Sequence, residues 1–153
     1  MPFRQSGCYM ANAEHVALLK QGVEVWNEWR EKTPGTKANL YKADLSGAYL
    51  SGADLSGADL TRADLNGANL YSANLSWAIL TEADLTWVGL RGATLIGTDL
   101  RGANLGEADL SQANLSGADL SEAILYETLF VNKRVSGISC EGGRFRMIRR
   151  MPL

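Results

Sequence analysis

One histidine and two cysteines are all that 153 residues offer in imidazole and thiol ligands. A single imidazole, His15, cannot build a histidine cluster or complete a nucleophile triad, and it is expected on the solvated face of a helix. Cys8 and Cys140 lie far apart with no CxxC neighbour. Neither a zinc site nor a disulfide framework is legible there, and reduced thiols are the default. No phosphate-cradling P-loop or dinucleotide fingerprint occurs. No apolar run approaches the length of a membrane span, and the start of the chain has no apolar core followed by a small-residue cleavage site. Carboxylates are plentiful but recur in similar surroundings, whereas acid–base pairs need surroundings that push their pKa values apart. These absences point away from an enzyme, from a cofactor or metal, and from the membrane, and towards a cytoplasmic protein.

What is present is periodic. From Ala38 to Asn132 a leucine arrives every fifth residue, from Leu40 and Leu45 through to Leu125, with Phe130 in the next slot. Alanine stands two residues before each, from Ala38 to Ala123, broken by Val88 and Thr98 before Thr128. A period of five fits neither the 3.6 of a helix nor the 2.0 of a strand. A helix would spread these leucines around its whole surface. In an extended segment, by contrast, residues two apart point to the same side, so Ala and Leu face inward and the Asp or Asn between them faces out. The remaining pair is commonly Ser-Gly, which is turn chemistry. Each pentad therefore reads as a short extended side and a corner, and same-sense corners wind the chain into a stacked solenoid about 4.8 Å per layer.

The tandem pattern A-(D/N)-L-X-X, seen as A-N-L-Y-K, A-D-L-S-G and A-Y-L-S-G, resembles the pentapeptide-repeat family, in particular cyanobacterial members with an N-terminal capping helix. The resemblance implies an all-β solenoid: a right-handed quadrilateral β-helix with four pentads per coil. On that fold residues 38–132 make nineteen pentads, nearly five coils, and a rod roughly 23 Å long.

Four segments follow. Residues 1–11 are expected to lack fixed structure, 12–35 to form an α-helical cap, 36–132 the repeat, and 133–153 a basic tail or second cap. A helix over Ala13–Lys32 is predicted from Val16, Leu19, Val23 and Trp26 at spacings of three and four, widened by Leu18 and Trp29. Asn12 is its N-cap, Glu14 sits in the first turn, and Pro34-Gly35 ends it. Its role is to cover the open first coil, or else to dock another protein. Charge is uneven: residues 38–132 hold eight Asp and four Glu against four basic side chains, while 133–153 hold six basic groups against Glu141. Lys133 falls in an alanine slot, so regular coiling should stop near Asn132, with the tail folding across the end or fraying.

Function would be written on the outward slots. Positions twenty apart should stack, placing Asp44, Asp64 and Asp84 in one acidic column and Asp99 and Asp119 in another. Such Asp and Asn side chains either bond to the corner backbone or imitate a nucleic-acid backbone. Tyr49, Ile79, Ile124 and Leu129 replace Asp or Asn, and Trp77 and Trp87 take corners that are elsewhere Gly. Trp77, Ile79, Ile96 and Trp87 form a candidate protein-binding patch, unless the ring merely fills a hole beside Gly57 and Gly97. Tyr71 should stack beneath Arg91 as a cation–π pair. Ile124, Tyr126, Leu129 and Val131 form a second apolar cluster at the end of the barrel, to be covered by the tail or by a second copy in a homodimer. The expectation is a non-enzymatic scaffold for a protein partner. The alternative carried by the resemblance is a DNA-mimicking inhibitor of DNA gyrase, of the quinolone-resistance type. Direct nucleic-acid binding ranks last, resting only on Arg144, Arg146, Arg149 and Arg150.

Overall fold

A computed structural model of the chain describes residues 10–130 and the backbone of residues 144–148. Two helices, α1 (Ala13–Gln21) and α2 (Val23–Lys32), precede the repeat; β1 (Ile124–Leu129) and β2 (Arg144–Ile148) stand at its far end. Between them the chain returns to the same wall every twenty residues, in parallel bridges such as Asn39↔Asp59, Asp59↔Ile79 and Ile79↔Asp99. Four pentads per coil are thus read directly from the pairing.

From Leu40 to Glu107 the pentads repeat the same three bonds between coils. Leu40 N–H donates to the Asp59 carbonyl (2.8 Å), Asp59 N–H to the Ala38 carbonyl (2.8 Å) and Lys42 N–H to the Thr61 carbonyl (2.9 Å). A fourth bond closes the corner, as from Ala43 N–H to the Leu40 carbonyl (3.0 Å). Leucine amides and alanine carbonyls therefore point towards the next coil, and the Asp/Asn backbone groups point back to the one before. The side chains obey the predicted alternation. Every repeat leucine from Leu40 to Leu125 is buried, with the alanines between them, Ala48 alone being half-buried. The exceptions in the alanine slot are absorbed without an orphaned polar group: the Thr98 hydroxyl donates to the Leu75 carbonyl (2.8 Å) and that of Thr128 to the Leu105 carbonyl (2.6 Å). Val88 is simply enclosed.

The corners share one conformation. The fifth residue of every pentad, from Lys42 to Glu127, has a positive φ, and ten of these residues are not glycine. Their φ values lie between 53° and 61°, where a Cβ is strained by about 1–2 kcal/mol. The inward burial and the inter-coil bonds impose this conformation on Trp, Glu, Arg and Gln alike.

The predicted single helix over 13–32 is two helices, because Gly22 leaves the helical region (φ 126°, ψ 161°). Asn12 does cap α1, its Oδ1 accepting from Glu14 N–H at 2.9 Å. The cap is more polar than its apolar stripe foretells. Leu19 and Trp26 are buried against the first coil, but the coil's backward-pointing backbone groups are met by side chains. Trp26 Nε1–H donates to the Asp54 carbonyl (2.8 Å), Asn27 accepts from Asp54 N–H (2.9 Å) and donates to the Gly52 carbonyl (3.1 Å). Arg30 donates to the carbonyls of Ser56 (2.8 Å) and Thr36 (2.7 Å). His15 is not solvated: it is buried, its ring tilted against that of Trp29 with centroids 4.8 Å apart, and its Nδ1 accepts from Asn39 N–H at 3.0 Å.

Two stability measurements check this description. Leu85→Ala, which empties a fully buried slot, should cost about 2–5 kcal/mol in a denaturant melt. Gln112→Gly, at φ 61° on an exposed corner, should instead raise stability by about 0.5–1 kcal/mol, because the relief of Cβ strain exceeds the added unfolded-state entropy. A loss of stability at residue 112 would mean that its side chain, and not its backbone, matters there.

Candidate interaction site

The outer walls are built from a repeated turn. In every pentad that carries Asp or Asn between Ala and Leu, the side-chain oxygen accepts the N–H of the residue two further on, from Asn39–Tyr41 (3.1 Å) to Asp119–Ser121 (2.9 Å). Where that residue is Ser or Thr its hydroxyl often adds a second bond, as Ser46 to Asp44 (2.7 Å) and Thr86 to Asp84 (2.5 Å). The Ser46 hydroxyl and N–H hold the Asp44 carboxyl below the usual carboxylate range. The acidic residues thus have a structural task at the corner.

Both predicted columns exist as stacks, through the bridges Asp44↔Asp64, Asp64↔Asp84 and Asp99↔Asp119. They differ in charge. Arg101 makes two bonds to Asp99 (2.9 and 2.7 Å) and lies 3.9 Å from Asp119, so it offsets one of the two charges of the second column and holds Asp99's carboxyl low. Arg62 and Glu82 pair at 2.7 Å at another corner. The Asp44–Asp64–Asp84 wall has no such guanidinium partner among the described residues.

Trp77 is the most exposed tryptophan of the barrel, at 69%. Its ring lies across the next coil at Gly97, where an added Cβ would overlap the six-membered ring. Its own N–H donates to the Ile96 carbonyl (2.9 Å), which brings the half-buried Ile96 beside it, and Ile79 follows on the adjoining wall. One ring face is therefore seated on glycine backbone and the other is open. Trp87 does not join this patch. It is two pentads away from Trp77 in a four-pentad coil, at the diagonally opposite corner, and it is a separate exposed ring (58%). The expected Tyr71–Arg91 stack is also absent: Arg91 Nε reaches instead towards Gln112 on the next coil, at 3.5 Å. The cation–ring contacts among the described residues are Arg30 over Trp29 and Lys42 over Tyr41.

At the far end, the edge of β1 is covered by the chain itself. β2 pairs with it in parallel, Ile124 opposite Arg144 and Leu125 opposite Phe145, so the twenty-residue return resumes beyond Asn132. The side chains of Ile124 and Tyr126 remain exposed, Leu129 is half-buried, and Val131 lies outside the described residues, as do Cys8 and Cys140. At the near end the cap is incomplete. It meets the backward-pointing groups of Asn39 and Asp54, but the same N–H and carbonyl of Asp44 and Tyr49 have no hydrogen-bonding partner among the described residues. An open groove of about 420 Å³ lies there, lined by Leu19, Lys20, Gly22, Asp44, Ala48 and Tyr49 among others. Neither this groove nor the polar anchors His15, Asn27 and Arg30 is visible to a reading of apolar periodicity. The one trace in the sequence is that Arg30 falls four places after Trp26, on its side of the helix. Among the described residues no group of His, Cys, Asp and Glu could hold a metal ion, and no helix is long and apolar enough to cross a membrane.

Comparison with known proteins agrees with this architecture. The family model described as pentapeptide repeats matches in eight copies spread over residues 38–126. Among solved structures, HetL, a pentapeptide-repeat protein involved in heterocyst differentiation regulation from the cyanobacterium Nostoc sp. strain PCC 7120, is 37% identical over 67% of this chain and 57% of its own (TM-score 0.45). Rfr23 from the cyanobacterium Cyanothece 51142 is 41% identical over 57% of this chain and 63% of its own (TM-score 0.39). QnrB1, a plasmid-mediated fluoroquinolone resistance protein, is 28% identical over 65% of this chain and 56% of its own (TM-score 0.33). The chain thus spans less than two thirds of each of these three. A search of curated proteins returns no match. The five-residue register, the twenty-residue coil and the family match over 38–126 together place this chain in the pentapeptide-repeat family, whose fold is the right-handed quadrilateral β-helix.

Proposed function

We propose that this chain is a non-enzymatic scaffold that docks a protein partner at the Trp77 corner. The observation that carries the reading is the ring of Trp77, spread over Gly97 with 69% of the residue exposed and Ile96 and Ile79 beside it. A tryptophan held by its backbone at φ 60° and resting on one face is pre-ordered, so little side-chain entropy remains to be lost when a partner covers the other face. Tryptophan in such a setting is a common hot spot of protein interfaces. The regular Asp/Asn turns around it supply a polar rim.

A second reading, mimicry of DNA towards DNA gyrase, draws on the Asp44–Asp64–Asp84 wall. Charge density counts against it. The repeat carries a net charge of −8, from eight Asp and four Glu against four basic groups, over a rod of roughly 23 Å. That is about one charge per 3 Å, against one per about 1.7 Å of duplex axis. Within that net charge, Arg62 and Arg101 pair directly with Glu82 and Asp99, which breaks the acidic surface locally.

Capture from an extract of the native organism tests the first reading. Trp77→Gly restores the commonest corner residue, so its melting temperature should be unchanged or higher while the captured partner is lost. Trp87→Gly, at the opposite corner, should keep the partner. Retention of the same partner by both Trp77→Gly and Ile96→Asp would overturn the docking site. For the rival, a supercoiling assay with DNA gyrase should show no inhibition at micromolar protein; inhibition that disappears on Asp64→Asn and Asp84→Asn would favour mimicry instead.

A further inference from the structure

The two halves of the cap hang from the first coil by separate bonds. α2 is held by Trp26, Asn27 and Arg30, all on the wall of Asp54 and its corners. α1 is held at Asn39: Asn12 N–H donates to the Asn39 carbonyl (3.0 Å), Asn39 N–H to His15 Nδ1 (3.0 Å), and Asn39 Nδ2 to the Met10 carbonyl (3.2 Å). Between the halves lies Gly22, in a conformation closed to other residues, and beside it opens the groove floored by Leu19 and Ala48. A joint with free space next to it separates a firmly anchored helix from one whose anchorage passes through a titratable group.

His15 can accept from Asn39 only while Nδ1 is unprotonated. The imidazolium carries a proton on both nitrogens, which would set one N–H against another at 3.0 Å. The charged groups around the ring do not compensate fully. Glu14 on α1 and the backbone of Asn39 favour the cation, Arg30 on α2 opposes it, and the desolvation of the buried ring outweighs the groups that favour it. Lys37 and Asp59, on the same wall, engage each other at 3.9 Å. The Trp29 ring packs against the imidazole at a tilt of 47°.

We propose that His15 is an acid-operated latch, whose protonation frees α1 to swing about Gly22 while α2 stays bound. Freeing α1 uncovers the backbone groups of Asn39, next to the bare groups of Asp44 and Tyr49. Among the described residues the edge of the first coil is then open on three of its four walls, in a form that an added strand could pair with. Burial holds the His15 pKa below its usual 6.5 in the closed state, with Glu14 and the Asn39 backbone pulling the other way. A depressed closed-state value means that latching is at full strength above about pH 6.5, weakens as pH falls below it, and levels off once pH has passed the closed-state pKa.

Because His15 is the only histidine of the chain, its ring resonances in an untagged full-length sample need no assignment by mutation. Amide exchange followed by NMR between about pH 7.5 and about pH 5, corrected for its intrinsic pH dependence, reads the latch directly. Exchange at Asn39 and through 13–21 should accelerate by up to about tenfold per pH unit below 6.5, while the amides of α2 hold steady. In His15→Gln, whose amide oxygen can accept at any pH, that acceleration should vanish. The latch is refuted if the wild-type ring titrates while α1 exchange stays flat, a result that does not depend on the variant folding. It is equally refuted if His15→Gln opens with acid as the wild type does.

Discussion

A leucine amide that donates to a carbonyl nineteen residues later, above a side chain that fills the space under the next leucine, needs the chain to come back to the same wall every twenty residues. That return is the constraint on which the rest of the molecule depends. It places small alanines where walls converge, since a close-packed interior has no room for more, and it turns the larger polar intruders among the described residues, Thr98 and Thr128, back onto carbonyls. It also imposes a left-handed backbone at each corner whatever residue stands there. The cost of ten such non-glycine corners is borne by burial and inter-coil bonding, so local preference yields to the collective structure.

A solenoid has two ends, and this one treats them differently. At the far end the chain adds β2 to the edge of β1, extending the parallel ladder by its own backbone. At the near end no strand precedes the first coil among the described residues, and side chains substitute for backbone: an indole N–H, a carboxamide, a guanidinium and an imidazole meet groups that a previous coil would have met. Side chains reach only two of the four walls. The consequence is a half-capped edge with a groove beside it, and an anchorage that includes a proton-sensitive acceptor. The exposed Trp77 corner arises from the same logic at a different place, since the ring can lie flat on the next coil only because Gly97 has no Cβ.

The inward leucines and alanines, the outward Asp/Asn turns and the stacking of positions twenty apart were all legible in the sequence, because each is a local consequence of period five once the coil closes on four sides. Four sides came from family resemblance, as periodicity alone does not count corners. What escaped depends on contacts between distant segments. Gly22 looks tolerable inside an apolar stripe, and only the shape of the first coil explains why the helix breaks there. His15 stands four residues before the buried Leu19, on the same helix face, but its enclosure by Trp29 and Asn39 is a contact between distant segments. Trp77 and Trp87 look like one patch along the chain, but ten residues is half a coil and puts them on opposite corners. Arg91 was expected to look back at Tyr71 and instead extends towards Gln112, a choice of rotamer that no pattern encodes.

The return every twenty residues can be measured by cross-linking. With Cys8 and Cys140 replaced by serine, cysteines at Asp64 and Asp84 sit on adjacent coils of one wall, about 4.8 Å apart and within reach of a disulfide, while cysteines at Asp64 and Asn74 sit on opposite walls. Mild oxidation should close an intramolecular disulfide in the 64/84 protein and leave the 64/74 protein reduced. Closure at 64/74 in the folded protein, or none at 64/84, would contradict the stacked four-sided coil.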